Sequence, residues 1–293
     1  MNRTAIGFRL PASTRVGAVA LQVADLARSL AWYRDLLGAR VLTRSDTTAT
    51  LGAAGHEVPL LELHERAGAA PMPSRGRLGL FHVAWLLPDR AALGRFFGHA
   101  IACGEPLGSA DHLVSEALYL QDPDGLGVEV YADRPSASWP MQGDEVQMAS
   151  LPIDAPGLQH AASGAPWTGL PDGSRIGHVH LHVGDLARST AFYRDVVGLG
   201  VTNTRYPGAV FLAAGRYHHH LGTNTWAGSS AVAAAEHDAR LLWWELRVPD
   251  RATVDAVRDR ARVLGGDGGA AVRDGLALAD PWGTRVHIVT EPG

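Results

Sequence analysis

The sequence has a single cysteine, Cys103, in 293 residues, so no intramolecular disulfide can form. A reducing compartment is the simplest reading, and a cytoplasmic location is expected. Cys103 falls late in a helical pattern and reads as a packing residue rather than a nucleophile. Long apolar runs are also missing. The apolar stretches are strand-sized or broken by Gly, Pro and charge, so none is expected to span a bilayer. The opening segment MNRTAIGFRLPASTRVG has no apolar core followed by a small-residue cleavage site, so no cleaved leader is expected. No block of like charges occurs. A net charge of -4 and a pI near 6.4 offer no cationic surface to nucleic acid or an anionic membrane. The 34 glycines form no phosphate loop, and Gly265, Gly266, Gly268 and Gly269 read as a loop after a helix.

What is present is a chain 46% hydrophobic and 19% charged, long enough for two domains with sizeable cores. Fourteen histidines against one cysteine point to imidazole and carboxylate as metal ligands. That donor set suits a borderline metal such as iron or manganese.

An internal repeat sets the organisation. Residues 16–41 read VGAVALQVADLARSLAWYRDLLGARV and residues 176–201 read IGHVHLHVGDLARSTAFYRDVVGLGV, identical at 15 of 26 positions. Pro88-Asp89-Arg90 recurs as Pro249-Asp250-Arg251, and DPDG at 122–125 as DPWG at 280–283. Two copies of one module therefore cover about residues 10–133 and 174–291. The stretch 134–173, rich in Pro, Gly, Ser and Ala, reads as a linker. Each copy divides again into strand, helix and weaker strands. Asp185 is a plausible helix N-cap, with the helix running to about Val197 and closed by Gly198. A strand at 79–87, a helix from about Asp89 to Ala102 and strands near 115–121 and 127–131 follow the same plan. The fold class is α+β, built from four βαβββ units.

Alternation assigns the faces. Val179, Leu181 and Val183 should pack on the helix, leaving His178, His180 and His182 on the opposite face. His82 is expected to share a face with Leu80 and Ala84, opposite Phe81, Val83 and Trp85. Glu129 lies opposite Val128 and Val130. A sheet with helices on one side and His and Glu on the other suggests a cup whose concave face is a site.

The V-x-D-L-A-R-S-x-A-[WF]-Y-R-D-x-x-G pattern, present twice, resembles the vicinal-oxygen-chelate superfamily. That superfamily includes glyoxalase I, bleomycin-resistance proteins and extradiol dioxygenases. GLFHVAWLLPDR, DHLVSEALYLQDPDGLGVEVYADRP and GRYHHHLGTNTW resemble its bacterial catechol 2,3-dioxygenase-like branch. The resemblance covers nearly the whole chain and implies two tandem modules with cupped mixed sheets.

It also implies a metal triad of His82, Glu129 and His178. His178 stands seven residues before Asp185, where the first copy has Ala18 before Asp25. The later positions are reversed, with His82 and Glu129 in the first copy against Trp243 and His287 in the second. One complete centre then requires the unit after residue 79 to pair with the unit starting at 176. The implied metal is Fe(II), with Mn(II) as the alternative, and each imidazole should be oriented by an outer acceptor on its other nitrogen. Tyr119, ten residues before Glu129, and His112 would handle substrate oxygens and protons. His219 would steady reduced oxygen and supply a proton. His220 is the alternate, because strict alternation leaves the register of His218-His219-His220 open. Trp243 and Trp244 would fill the degenerate second site. His56, His64, His99 and His237 read as surface residues.

The expected activity is extradiol cleavage, with a small aromatic diol and dioxygen as partners. Edges of such modules often pair, so a homo-oligomer is within expectation. A glyoxalase-type isomerase or lyase would want a second carboxylate, and Glu62 lies in the wrong unit. A drug-sequestering protein would be expected to have lost the triad.

Overall fold

The computed structural model describes residues 7–55 and 57–291; residues 1–6, His56 and residues 292–293 lie outside them. The first unit holds β1 (Arg15–Val23), α1 (Leu26–Asp35), β2 (Arg40–Arg44), β3 (Thr48–Gly52) and β4 (Leu61–Glu65). The second holds β5 (Arg77–Leu86), α2 (Arg90–Ala102), β6 (Gly108–Asp111), β7 (Ser115–Gln121) and β8 (Gly127–Asp133). After a short helix α3 (Ala155–Ala161), the third unit holds β9 (Arg175–His182), α4 (Leu186–Thr190), β10 (Gly200–Asn203), β11 (Ala209–Ala213) and β12 (Leu221–Asn224). The fourth holds β13 (Arg240–Val248), α5 (Arg251–Val263), β14 (Ala270–Val272), β15 (Gly275–Ala279) and β16 (Arg285–Thr290).

The same local chemistry starts the helix of each unit. Asp25, Asp89, Asp185 and Asp250 each accept a hydrogen bond from the backbone N–H three residues on, satisfying a donor the first turn would otherwise leave open. On α1, Leu26, Leu30 and Tyr33 recur at helical spacing and are buried, which fixes the face turned to the core. The helix after Asp185 differs from expectation. It is α-helical only to Thr190 and continues as a π-helical turn, Ala191–Val197. Gly198 then ends it at φ 99°, a backbone angle that favours glycine.

Neither half of the chain closes on itself. The second and third units form one sheet, in the order β10-β11-β12-β9-β5-β8-β7-β6, with the two-residue strand Val232–Ala233 alongside β5. The first and fourth form the other, β14-β15-β16-β13-β1-β4-β3-β2. The seams are antiparallel, β5 against β9 and β1 against β13. The apolar faces of both sheets and the helices share one continuous core around Trp85, Trp244, Tyr33, Tyr193 and Phe96. Burying an apolar side chain such as that of Phe96 contributes on the order of 1.5–3 kcal/mol.

Two hydrogen bonds of the same form tie the sheets together. Tyr33, from the repeated Y-R-D motif, donates to Asp122 of the DPDG turn, and Tyr193 donates to Asp280 of DPWG, both at 3.2 Å. The other oxygen of each aspartate accepts two backbone N–H groups of its own turn.

Several expectations are corrected. The stretch after residue 133 is more than a linker: it forms a two-stranded hairpin, Met141–Gln142 with Glu145–Val146, and then α3. Cys103 does not pack in the core. It is the exposed C-cap residue of α2, its Sγ 3.7 Å from His99 Nε2. The helix has turned that position to solvent. Trp243 and Trp244 do not share a role. As neighbours on a strand they face opposite ways, so Trp244 is buried in the core and Trp243 stacks on His287 at 4.8 Å on the other face of the sheet built from the first and fourth units.

Candidate metal centre

Three strands aim one face into the cup of the sheet built from the second and third units. On β9, His178, His180 and His182 point inward while Val179 and Leu181 enter the core. On β8, Glu129 points inward from between Val128 and Val130. β5 departs from strict alternation. Its register against β9 slips between His82, opposite His180, and Leu80, opposite Leu181. Phe81 is the extra residue of this bulge. Leu80 therefore joins Val83 and Trp85 in the core, and Phe81 lines the cavity beside His82. The expected grouping of His82 with Leu80 is overturned by one inserted residue.

The ligating atoms of His82, Glu129 and His178 lie within 4.8 Å of one another, and all three residues are buried. His178 Nε2 is 3.2 Å from Glu129 Oε2. His82 Nε2 is 2.9 Å from the same oxygen, yet off the line of a hydrogen bond and without any other partner. A buried nitrogen that faces a carboxylate without bonding to it is costly. Convergence on a shared cation would remove that cost, so this donor set fits a divalent ion. The outer acceptor expected for the second nitrogen of His178 is not found: its Nδ1 is buried without a partner.

Electrostatics agree. Burial would push the Glu129 carboxyl up, but His178 and His82 together hold it well below the usual carboxylate range. Burial takes His178 down to about 4 against the pull of Glu129. His180 and His219 are driven well below the ordinary imidazole value, again by burial first and neighbouring imidazoles second. An imidazole that stays neutral, as His178 does, beside an ionised Glu129 is what a metal requires.

The remaining candidates are placed as follows. The His219 ring lies 4.1 Å from that of His178 and lines the cavity. His220 turns away, its Nδ1 accepting from Ala214 N at 3.2 Å. His112 Nε2 is 2.5 Å from the Tyr119 hydroxyl, and its Nδ1 is 2.6 Å from Ala149 O. The tight β6–β7 connection brings these two together despite their short spacing; Leu113, at φ 70°, is the strained residue in it. Burial and the charge of Glu129 raise the Tyr119 phenol well above its ordinary value.

Sequence reasoning missed much of the cavity wall. The cavity, about 210 Å³, is lined also by Phe81, Met148, Ser150, Tyr206, Phe211 and Trp226. Met148 and Ser150 come from the stretch read as a linker, and Ser150 Oγ is 2.7 Å from Tyr206 OH. No motif marks them. His180 also lines the cavity, and Asn224 bridges it to His182 by contacts of 3.0 and 2.6 Å. In the other sheet, Glu62 stands beside His64 at 3.3 Å, far in topology from His178.

Comparisons with known proteins agree with this architecture. Residues 15–130 match the family model described as the Glyoxalase/Bleomycin resistance protein/Dioxygenase superfamily, and residues 175–212 match one described as Bleomycin resistance protein-like N-terminal. A protein of Bacillus subtilis (strain 168) named catechol-2,3-dioxygenase is 41% identical over 256 residues, covering 86% of this chain and 89% of its own. Among solved structures, a candidate dioxygenase from Bacillus subtilis subsp. subtilis str. 168 superposes with a TM-score of 0.65 at 13% identity, over 98% of this chain and 87% of that one. Glyoxalase I from Zea mays does so with a TM-score of 0.55 at 18% identity, over 95% and 92%. At those identities the structural likeness concerns the fold.

Proposed function

This chain belongs to the Glyoxalase/Bleomycin resistance protein/Dioxygenase superfamily, and on that premise we propose that it is a catechol 2,3-dioxygenase-like enzyme that opens an aromatic diol by extradiol cleavage. The observation that carries this reading is the meeting of His82, Glu129 and His178 in one cup walled by aromatic rings. His82, Glu129 and His178 would hold Fe(II), with Mn(II) as the alternative. When bound by two imidazoles and one carboxylate, such an ion supplies adjacent positions for a diolate and for dioxygen and a path for electrons between them. Both oxygen atoms enter the ring-opened product, so no external reductant is consumed.

The protein's own groups position the ring and move protons. Ala149 O can only accept, so His112 donates from Nδ1 and receives the Tyr119 O–H at Nε2. The Tyr119 oxygen is then left to accept from a diol hydroxyl. His219, beside His178, is placed to hold and return a proton on the opposite side. Phe81, Phe211 and Trp226 give the substrate ring apolar walls and keep water out.

The lining also narrows the substrate. Among the described residues that line this cavity there is no Lys or Arg, so a carboxylated diol would meet no counter-charge. An uncharged, single-ring diol suits the walls and the volume. Among the described residues Glu129 is the one carboxylate of the lining, which disfavours a glyoxalase-type site. The test is oxygen uptake after anaerobic iron removal and reconstitution, with a panel of neutral and carboxylated catechols and hydroquinones. One dioxygen consumed per neutral catechol is expected. No uptake with any diol at full Fe(II) loading would sink the proposal.

A further inference from the structure

Behind the cavity wall runs a chain of hydrogen bonds that none of the roles above uses. His218 Nδ1 is 2.7 Å from His219 Nδ1, and on its other edge His218 Nε2 is 2.8 Å from Asp133 Oδ1. Tyr217 donates to Asp133 Oδ2 at 2.9 Å, and Tyr131 OH is 2.7 Å from Tyr217 OH. His218 is fully buried. The rings of Tyr217 and Trp139 pack on it, with centroids at 4.1 and 5.0 Å. The chain is built in place, with no room for His218 to turn.

Its protons can be assigned one by one. A carboxylate only accepts, so His218 carries its hydrogen on Nε2. If His218 carries only that one hydrogen, as a neutral imidazole does, its Nδ1 is bare. Two bare nitrogens at 2.7 Å would repel, so the hydrogen between the rings belongs to His219 Nδ1. The Nε2 of His219, on the edge left for the cavity, is then a lone pair.

We propose that Asp133, acting through His218, locks His219 in the Nδ1–H tautomer and so presents an unprotonated Nε2 to the substrate. Asp133 and His218 are positioning residues, since neither lines the cavity. The tautomer chain stands on geometry alone; its catalytic meaning rests on the dioxygenase reading. In that reading His219 acts first as a base. A diol O–H bond breaks, an N–H bond forms at Nε2, and the same proton returns to oxygen as the ring opens.

The test uses the metal-free full-length protein labelled with ¹⁵N in histidine. Long-range ¹H–¹⁵N correlations distinguish Nδ1–H from Nε2–H. The wild type is expected to show Nδ1–H at His219 and Nε2–H at His218. Asp133→Leu and His218→Phe are each expected to leave His219 as a mixture of tautomers, and the phenyl ring keeps the packing of Tyr217 and Trp139. An Nε2–H at His219 in the wild type, or a tautomer unchanged in both variants, overturns the proposal. With Fe(II) restored, Asp133→Leu should lower kcat roughly 10- to 100-fold with little change in KM; a raised KM at unchanged kcat counts against it. If the wild type consumes no oxygen, the dioxygenase reading fails while the tautomer result stands.

Discussion

His178 Nε2 and Glu129 Oε2 meet at 3.2 Å although they belong to different halves of the duplicated chain. The seam between β5 and β9 brings them together. If that meeting point is a metal centre, wild-type protein binds one Fe(II) or Mn(II) per chain. Glu129→Gln, His82→Ala and His178→Ala should each weaken binding by roughly 100-fold or more, with far-UV circular dichroism unchanged. Anaerobic titration followed by metal analysis checks this, and full affinity in any of the three removes that residue from the ligand set.

Binding should also show in thermal stability. An ion present at about 100 times its Kd adds about 2.7 kcal/mol to the folded state. For a chain of this size that corresponds to a rise in Tm of roughly 4 °C. The rise is expected in the wild type and absent in Glu129→Gln. Equal shifts in both proteins would place the metal elsewhere.

Asp122 gives a pH signature away from the cavity histidines. Burial raises its carboxyl to about 6, against hydrogen bonds from Leu126, Asp124 and Tyr33 that favour the ionised form. The unfolded chain ionises this group near pH 3.8, the folded chain only near 6. Below both values the group costs nothing. Between them the folded state holds the extra proton, so stability falls as pH rises, and above 6 the penalty is complete. Measured against Asp122→Asn, the wild type should gain roughly 2 kcal/mol between pH 7.5 and 4.5. Paired denaturant titrations at several pH values test the sign, and a difference independent of pH refutes it.

Gly177 precedes His178 where no side chain fits. A Cβ there would stand 1.8 Å from the Tyr131 hydroxyl and 3.0 Å from Leu86 Cβ. Tyr131 is held by Tyr217, itself bonded to Asp133, so it cannot yield cheaply. Gly177→Ala should cost about 1–3 kcal/mol and, by shifting β9, weaken Fe(II) binding. Unfolding and metal titration together decide it; a neutral substitution would mean that Tyr131 moves freely.

How much of this was legible beforehand varies residue by residue. The inward face of His178 and of Glu129 was legible because each sits on a strand whose alternate residues are Val or Leu, but their place in a metal triad was reached, like that of His82, through the resemblance. His82 was reached through the resemblance, but its surroundings were misread because the bulge at Phe81 leaves no mark in the pattern. Tyr131 and Asp133 share the parity of Glu129 on β8, a signal present but unused. Met148, Ser150, Tyr206 and Trp226 could not have been found by periodicity, since only the folding-over of distant segments brings them to the cavity.

The sequence by itself determined the duplication, the capped helices and the inward face of most strands. Those follow from local covalent geometry, which repeats every 3.6 residues on a helix and every two on a strand. Which units share a sheet was inferred beforehand only through the split triad that the resemblance implies; where a strand slips by one residue, and which histidine of 218–220 turns to the cup, were decided only in the tertiary structure. Those outcomes depend on hydrogen-bond register and packing between segments far apart in the chain, where no short-range pattern reaches.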